Sequence, residues 1–236
     1  MKTTIIKSNE RGHANHGWLD AHHTFSFAHF YNPDQMNFGL LRVFNDDLIA
    51  PGMGFGTHPH DNMEIVSIPL KGDLQHRDSM GNTSVIKHGE VQIMSAGSGI
   101  THSEFNPNKG ETTNLLQIWV FPKLRNIEPR YGQAQFAAEG RKNKVQTVVS
   151  PNQEDGSLWV NQDVWFSLTN LDHGMSLNYS MKKQGNGLWV FVIQGQVKIG
   201  DMELNTRDSM GIWEVENVNL LAGKDSELVI IDVPMN

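Results

Sequence analysis

Short apolar runs of strand length, each closed off by Gly, Pro, Asn or Asp, recur along the whole chain and constrain its fold more than any other feature. They are FGLLRVF (38–44), NMEIVSIPL (62–70), VQIMS (91–95), NLLQIWVFP (114–122), KVQTVVS (144–150), LWVFVIQG (188–195) and ELVIIDVP (227–234). Turn signals such as KGD, MGN, SGI, NGL and QGQ lie between them. Branched and aromatic side chains fit a pleated surface, while Gly, Asn and Asp adopt the backbone conformations that reverse it. The pattern predicts an all-β sandwich or barrel. Only YGQAQFAAEGR (131–141) carries weak helical character.

That same stretch, with the polar KLRNIEPR before it, interrupts the strands and reads as a linker. A chain of 236 residues suits one large domain or two ordinary ones. The resumption of the strand pattern predicts two β domains, 1–145 and 146–236. The pentapeptide RDSMG occurs at 77–81 and again at 207–211. Its distance from the preceding strand-end glycine differs between the copies, so the identity is read as coincidence.

Composition excludes several functions. There is no Cys, which removes disulfides, thiolate metal sites and cysteine nucleophiles together. A net charge of -7 argues against nucleic acid and anionic membranes as partners. No apolar run approaches the length of a membrane span and no secretory leader is evident at the start, so a cytoplasmic location is expected. The G-x-S-x-G elbow and the Walker sequence are absent, and GMGFG (52–56) lacks the spacing of a dinucleotide fingerprint.

Histidine carries the chemistry. Ten of the 11 precede residue 103, in tight groups such as THPHDNME (57–64) and THSEF (101–105). In a strand, residues i and i+2 point to one face, so His58 shares a face with His60, and His102 with Glu104. Two such pairs on neighbouring strands would converge inside a small barrel. Three imidazoles and a carboxylate suit a divalent ion such as Fe(II), Mn, Ni, Cu or Zn. From spacing alone, Glu64, four residues beyond His60 and on the same strand face, is also a candidate for the carboxylate. His76 and His88 flank turns and are expected in solvent. Gln117, on the apolar run LLQIWV, is either a pocket group or a satisfied core amide. The second half, with His173 alone, is expected to be metal-free and structural in role.

The segment from Gly52 through His58-x-His60 to Glu64 and Gly72 resembles the first cupin motif, with one extra residue before the closing glycine. Gly89, Ser95-x-Gly97, His102 and Asn106 resemble the second, with Ser95 in place of the usual Pro and a longer gap before the His. These departures, with RGHANHGWLDAHHTFSF (11–27), LRVFNDD (41–47), HRDSMGN (76–82) and IMSAGSGITHSEFN (93–106), resemble the pirins, and among them bacterial pirin-like quercetin 2,3-dioxygenases. The likeness is specific over the first half; in the second it extends only to strand pattern and length.

The resemblance implies a bicupin of two antiparallel jelly-roll barrels, with one divalent transition metal per chain, expected as Fe(II). It also implies that the carboxylate ligand is Glu104, giving the set His58, His60, His102 and Glu104, and leaves Glu64 as a supporting or pocket residue. The crowd of His13, His16, His22, His23 and His29 admits a second metal site through the spacing of His13 and His16 near Asp20. Its likeness to the pirin N-terminal arm points instead to packing beside the first sheet. The implied activity is flavonol (quercetin) dioxygenation by a monomer, with a flavonol-like substrate and O2 as partners, Glu104 acting as base, and CO released. The alternative implied by eukaryotic pirins is a non-enzymatic iron- or redox-sensing regulator. An apolar cavity beside the ion discriminates the two.

Overall fold

A run such as LWVFVIQ has no polar alternation, and strands of that kind need cover on both faces. The computed structural model, which describes residues 1–152 and 154–236, supplies that cover on one face by packing the large sheet of each half against that of the other, and on the opposite face by the interior of the strand's own barrel. The first half contains β1 (Lys2–Ile6), β2 (Gly12–Asn15), β3 (Leu19–His23), β4 (Leu41–Ile49), β5 (Gly54–His60) and β6 (Glu64–Lys71). It continues with β7 (Leu74–Asp78), β8 (Thr83–Ile86), β9 (Glu90–Ser95), β10 (Ile100–Phe105), β11 (Thr113–Val120) and β12 (Arg130–Gln135). The second half contains β13 (Gln146–Ser150), β14 (Leu158–Trp159), β15 (Trp165–Leu171), β16 (Ser176–Ser180) and β17 (Asn186–Gln194). It closes with β18 (Gln196–Ile199), β19 (Met202–Asn205), β20 (Ser209–Trp213), β21 (Asn217–Ala222) and β22 (Ser226–Pro234).

Each half forms a two-sheet barrel. In the first, the seven strands β12-β9-β6-β11-β4-β3-β2 lie over the four strands β5-β10-β7-β8. In the second, β1-β20-β17-β22-β15-β13-β14 lies over β16-β21-β18-β19. Pairing is antiparallel throughout except for the short β13–β14 contact. This is the expected all-β bicupin architecture. The stretch 131–141, read as weakly helical, is instead strand β12 on the edge of the large sheet, followed by a single 3-10 turn at Ala138–Arg141. Among the described residues, no helix is long and apolar enough to cross a membrane.

The most extensive apolar cluster lies between the halves, where the two seven-stranded sheets meet back to back. Phe44 meets Phe191 at 4.7 Å between ring centroids, and Phe38 meets Trp189 at 5.2 Å. Each fully buried ring of this kind stabilises by about 1.5–3 kcal/mol. Gly211 makes room for Phe38, because a Cβ there would sit 2.5 Å from its ring. The second barrel is also filled inside, by residues such as Leu188, Val190, Ile212, Leu220 and Ile230. The interior of the first barrel holds only the small clusters around Leu74 and Leu115 and around Ile65 and Met94. That barrel leaves part of its interior as a cavity.

The split at residue 145 remains our proposal for the domain boundary, with one exception. Strand β1 is exchanged into the second half, where Lys2–Ile6 pairs with β20. The two RDSMG copies also serve different ends. Asp78 closes the turn after β7 through the amides of Met80 and Asn82, whereas Arg207 and Asp208 tie the halves together. Arg207 and Arg11 both reach the buried Asp46, at 3.2 and 3.1 Å. Asp208 accepts from the Ser8 amide at 2.8 Å, Lys7 Nζ at 2.9 Å and the Asn205 amide at 3.0 Å.

Burial works against ionising Asp208, but these donors outweigh it and hold the carboxyl below its ordinary value of 3.8. A depressed carboxylate adds stability above that pH and loses it as pH falls through the lowered value. Asp208→Asn is therefore expected to cost about 1–3 kcal/mol at pH 7, the penalty for breaking a buried charged acceptor. The readout is a lower urea midpoint at unchanged slope, with the gap to wild type closing as pH falls below about 4. An equal midpoint at pH 7 would show that the anchor of β1 lies elsewhere.

Candidate metal centre

Strand β10 runs between β5 and β7 and determines which side chains meet. On one side His102 stands opposite His58 and Ile100 opposite His60. On the other, His102 stands opposite Asp78 and Glu104 opposite His76. Between His102 and Glu104 the β5 pairing slips, so that Glu104 faces Phe55 and β5 carries one extra residue there. Bulges of this sort re-aim side chains beside sites. Here the bulge turns the Gly56 carbonyl toward His58, whose Nδ1 donates to it at 2.7 Å. His58 Nε2 is thereby left with its lone pair available.

The three rings converge. His58, His60 and His102 have centroid separations of 4.9, 4.5 and 4.8 Å, and a nitrogen from each falls within 4.8 Å of the other two. Both ring nitrogens of buried His102 have no hydrogen-bond partner among the described residues. Such orphans are rare in native interiors and point to an ion or water. Desolvation, reinforced by the neighbouring histidines, lowers the pKa of His60 to about 4 and of His102 to about 3. Neutral imidazole is the form that ligates metal.

Glu104 is buried one step along β10 and comes within 4.8 Å of His102 and His76. Gln117 Nε2 donates to its Oε2 at 2.6 Å, and Ser67 Oγ lies 3.2 Å from Oε1. Burial pushes the carboxyl up to about 7, against the downward pull of Ser67 and Gln117. A nearby cation would reverse that balance. Gln117, which the sequence left open, is thus a cavity residue that orients Glu104.

Glu64 stands elsewhere. The chain turns between His60 and Glu64, with Asn62 at φ +46°, so the two do not continue one strand face. Its buried carboxyl accepts from Ser95 Oγ at 2.7 Å and the Asn161 amide at 3.1 Å, holding the halves together rather than lining the cavity. Burial lifts it to about 7 as well. His76, expected in solvent, is fully buried, because Leu74, His76 and Asp78 alternate inward before the turn begins. Its Nε2 pairs with Asp78 Oδ2 at 3.0 Å and its ring stacks on Tyr131. The signal that finds it is the period-two pattern of β7. His88 is exposed, as expected.

In the N-terminal arm, His13 and His16 do not form the site their spacing admitted. His13 instead bonds Asp20 at 2.7 Å and stacks on His22, its cross-strand partner. His23 turns inward and bonds Asn45 at 2.9 Å.

A cavity of about 440 Å³ adjoins the imidazoles, walled by Trp18, Phe27, Phe55 and Trp119, with Asn45, Asp47 and Gln117 supplying polar groups. Trp119 also sets its ring edge-on to His60 at 4.9 Å. The donor set fits a divalent ion, and the cavity size falls in the range used for small ligands.

Two family models match the chain: Pirin over residues 5–120, and a quercetinase C-terminal cupin domain over 147–233. A quercetin 2,3-dioxygenase of Escherichia coli is 46% identical over 98% of both chains. A pirin-like protein of Caulobacter vibrioides is 40% identical over 94% of this chain and 95% of its own. The crystal structure of the E. coli bacterial pirin YhhW in complex with nickel(II) superposes with a TM-score of 0.94 at 44% identity, covering 99% of each chain. By sequence along its whole length and by fold, this chain belongs to the pirin family.

Proposed function

We propose that the chain is a mononuclear metal-dependent flavonol dioxygenase of the quercetin 2,3-dioxygenase type. The observation that carries the reading is the aromatic cavity lined by His58, His60 and the buried carboxylate of Glu104, with His102 converging on the two imidazoles. A regulator that only senses the state of its ion has no use for such a chamber. The names of the relatives agree with the enzymatic reading.

In this reading His58, His60, His102 and Glu104 hold one divalent ion. Fe(II) is the ion we propose, since it accepts this donor set and suits chemistry with O2; the nickel(II) complex of the E. coli relative supports a divalent ion of this class. When bound, the ion supplies Lewis acidity that lowers the pKa of a flavonol 3-hydroxyl and favours the electron-rich flavonolate. Glu104 takes the proton released from that hydroxyl, and Gln117 and Ser67 keep its oxygens oriented as the charge changes. Gly56 and Trp119 fix the rings of His58 and His60. Trp18, Phe27 and Phe55 exclude water and stack on the flat substrate. O2 adds across C2 and C4 of the flavonol, and ring opening releases CO. The chain acts as a cytoplasmic monomer without nucleic-acid or membrane partners; its net charge of -7 supports the absence of those two kinds of partner.

The direct test is loss of the quercetin absorption band and appearance of CO when anaerobically Fe(II)-loaded protein meets O2. Metal-dependent CO release is expected; no turnover by protein holding one ion per chain would remove the enzymatic reading. His102→Ala is expected to lose the ion while its β-rich circular dichroism persists, and an unchanged metal content would overturn the ligand assignment. Glu104→Gln is expected to lower turnover by at least 100-fold, the usual scale for a lost general base. Glu64→Gln should keep its metal and most of its activity. The opposite pattern in the two glutamate variants would transfer the carboxylate role to Glu64.

A further inference from the structure

Strand β4 sends Asn45 and Asp47 to the same face, into the cavity. The two differ in one respect. Asn45 belongs to a polar row that crosses the sheet in register, His23–Asn45–Gln117–Ser67, and is satisfied by His23. Asp47 stands two residues on, roughly 7 Å along the strand. Its cross-strand neighbours are Ala21 and Leu115, neither of which offers a side-chain donor. The residue is 4% exposed, and its Oδ1 has no hydrogen-bond partner among the described residues. Leaving a buried acceptor unmatched is costly, and the side chains flanking Asp47 across the sheet give no structural reason for a carboxyl there.

We propose that Asp47 is a specificity-determining contact of this cavity, binding a phenolic hydroxyl of the substrate other than the one presented to His58, His60 and His102. This rests on the flavonol reading above and narrows it to polyhydroxylated flavonols. Burial, with Asp46 and Glu104 nearby, holds the Asp47 carboxyl well above its ordinary range. A neutral carboxyl does not select a cation. A hydroxyl, which both donates and accepts, pairs with the carboxyl in either protonation state. The walls around it are aromatic and aliphatic, so the group that brings the hydroxyl is a ring.

The test compares quercetin with 3-hydroxyflavone, which keeps the metal-facing hydroxyl and carbonyl but lacks the ring hydroxyls. Two quantities are read on metal-loaded protein: kcat/KM, and Kd from quenching of tryptophan fluorescence, to which Trp18 and Trp119 in the cavity wall contribute. Wild type is expected to favour quercetin at least tenfold in both. Asp47→Ala should cut that preference at least tenfold, and Asp47→Asn, which retains an acceptor and a donor, should keep most of it. Metal content of one ion per chain shows that each variant is folded. If neither flavonol turns over but quercetin binds with an Asp47-dependent preference, the dioxygenase reading fails and the contact stands. A preference unchanged in Asp47→Ala, or equal losses for both ligands, overturns the contact whatever the turnover.

Discussion

The antiparallel pairing of β10 with β5 is the constraint on which the site depends. Its register sets His102 opposite His58, residues 44 positions apart in sequence, and the alternation of β10 itself turns Glu104 to the same inner face as His102. A one-residue slip would turn His102 and Glu104 to the outside together, because strand side chains alternate. The pairing of β10 with β7 on its other edge, and of β7 with β8, holds that register against slippage. Gly56, at the bulge, does double duty by fixing the tautomer of His58 through its carbonyl.

Such a site is expensive to build, and the molecule compensates for it outside the barrel that holds it. Polar residues cross the inner face of the first large sheet where apolar ones would pack, and several of their atoms lack partners among the described residues. The apolar burial that such an interior forgoes is made up between the halves, around Phe38, Phe44, Trp189 and Phe191, and inside the filled second barrel. The second half thus serves as the platform on which the first can carry an open cavity with aromatic walls and a few polar groups. The exchange of β1 and the pair of Asp46 with Arg207 bind that platform to the site-bearing half, with Arg11 holding Asp46 from within its own half.

How much of this was legible follows from which interactions are local. Each of the seven apolar runs contains all or part of a strand, because branched, Gly-bounded segments report strand formation directly. The convergence of His58, His60 and His102 was legible too, since two i, i+2 pairs need only adjacent strands. Preferring Glu104 to Glu64 required the family resemblance. Local spacing counted four residues from His60 to Glu64 without showing the turn at Asn62 that breaks the face. Cross-strand relations stayed hidden for the same reason. His76 reaches Glu104, Gln117 reaches Ser67 and Glu104, and Asp47 sits between Ala21 and Leu115 only once register is fixed. The exchange of β1 joins positions about 200 residues apart and leaves no mark on either segment alone.

The centre itself can be seen directly by anomalous scattering from crystals of the protein loaded with one divalent transition metal, collected on both sides of that metal's absorption edge. The four-ligand centre predicts one strong peak per chain, at about 2.0–2.2 Å from a nitrogen of His58, His60 and His102 and an oxygen of Glu104. A peak held by His76 in place of His60, or one found only at His13, Asp20 and His22 on the outer hairpin, would contradict it.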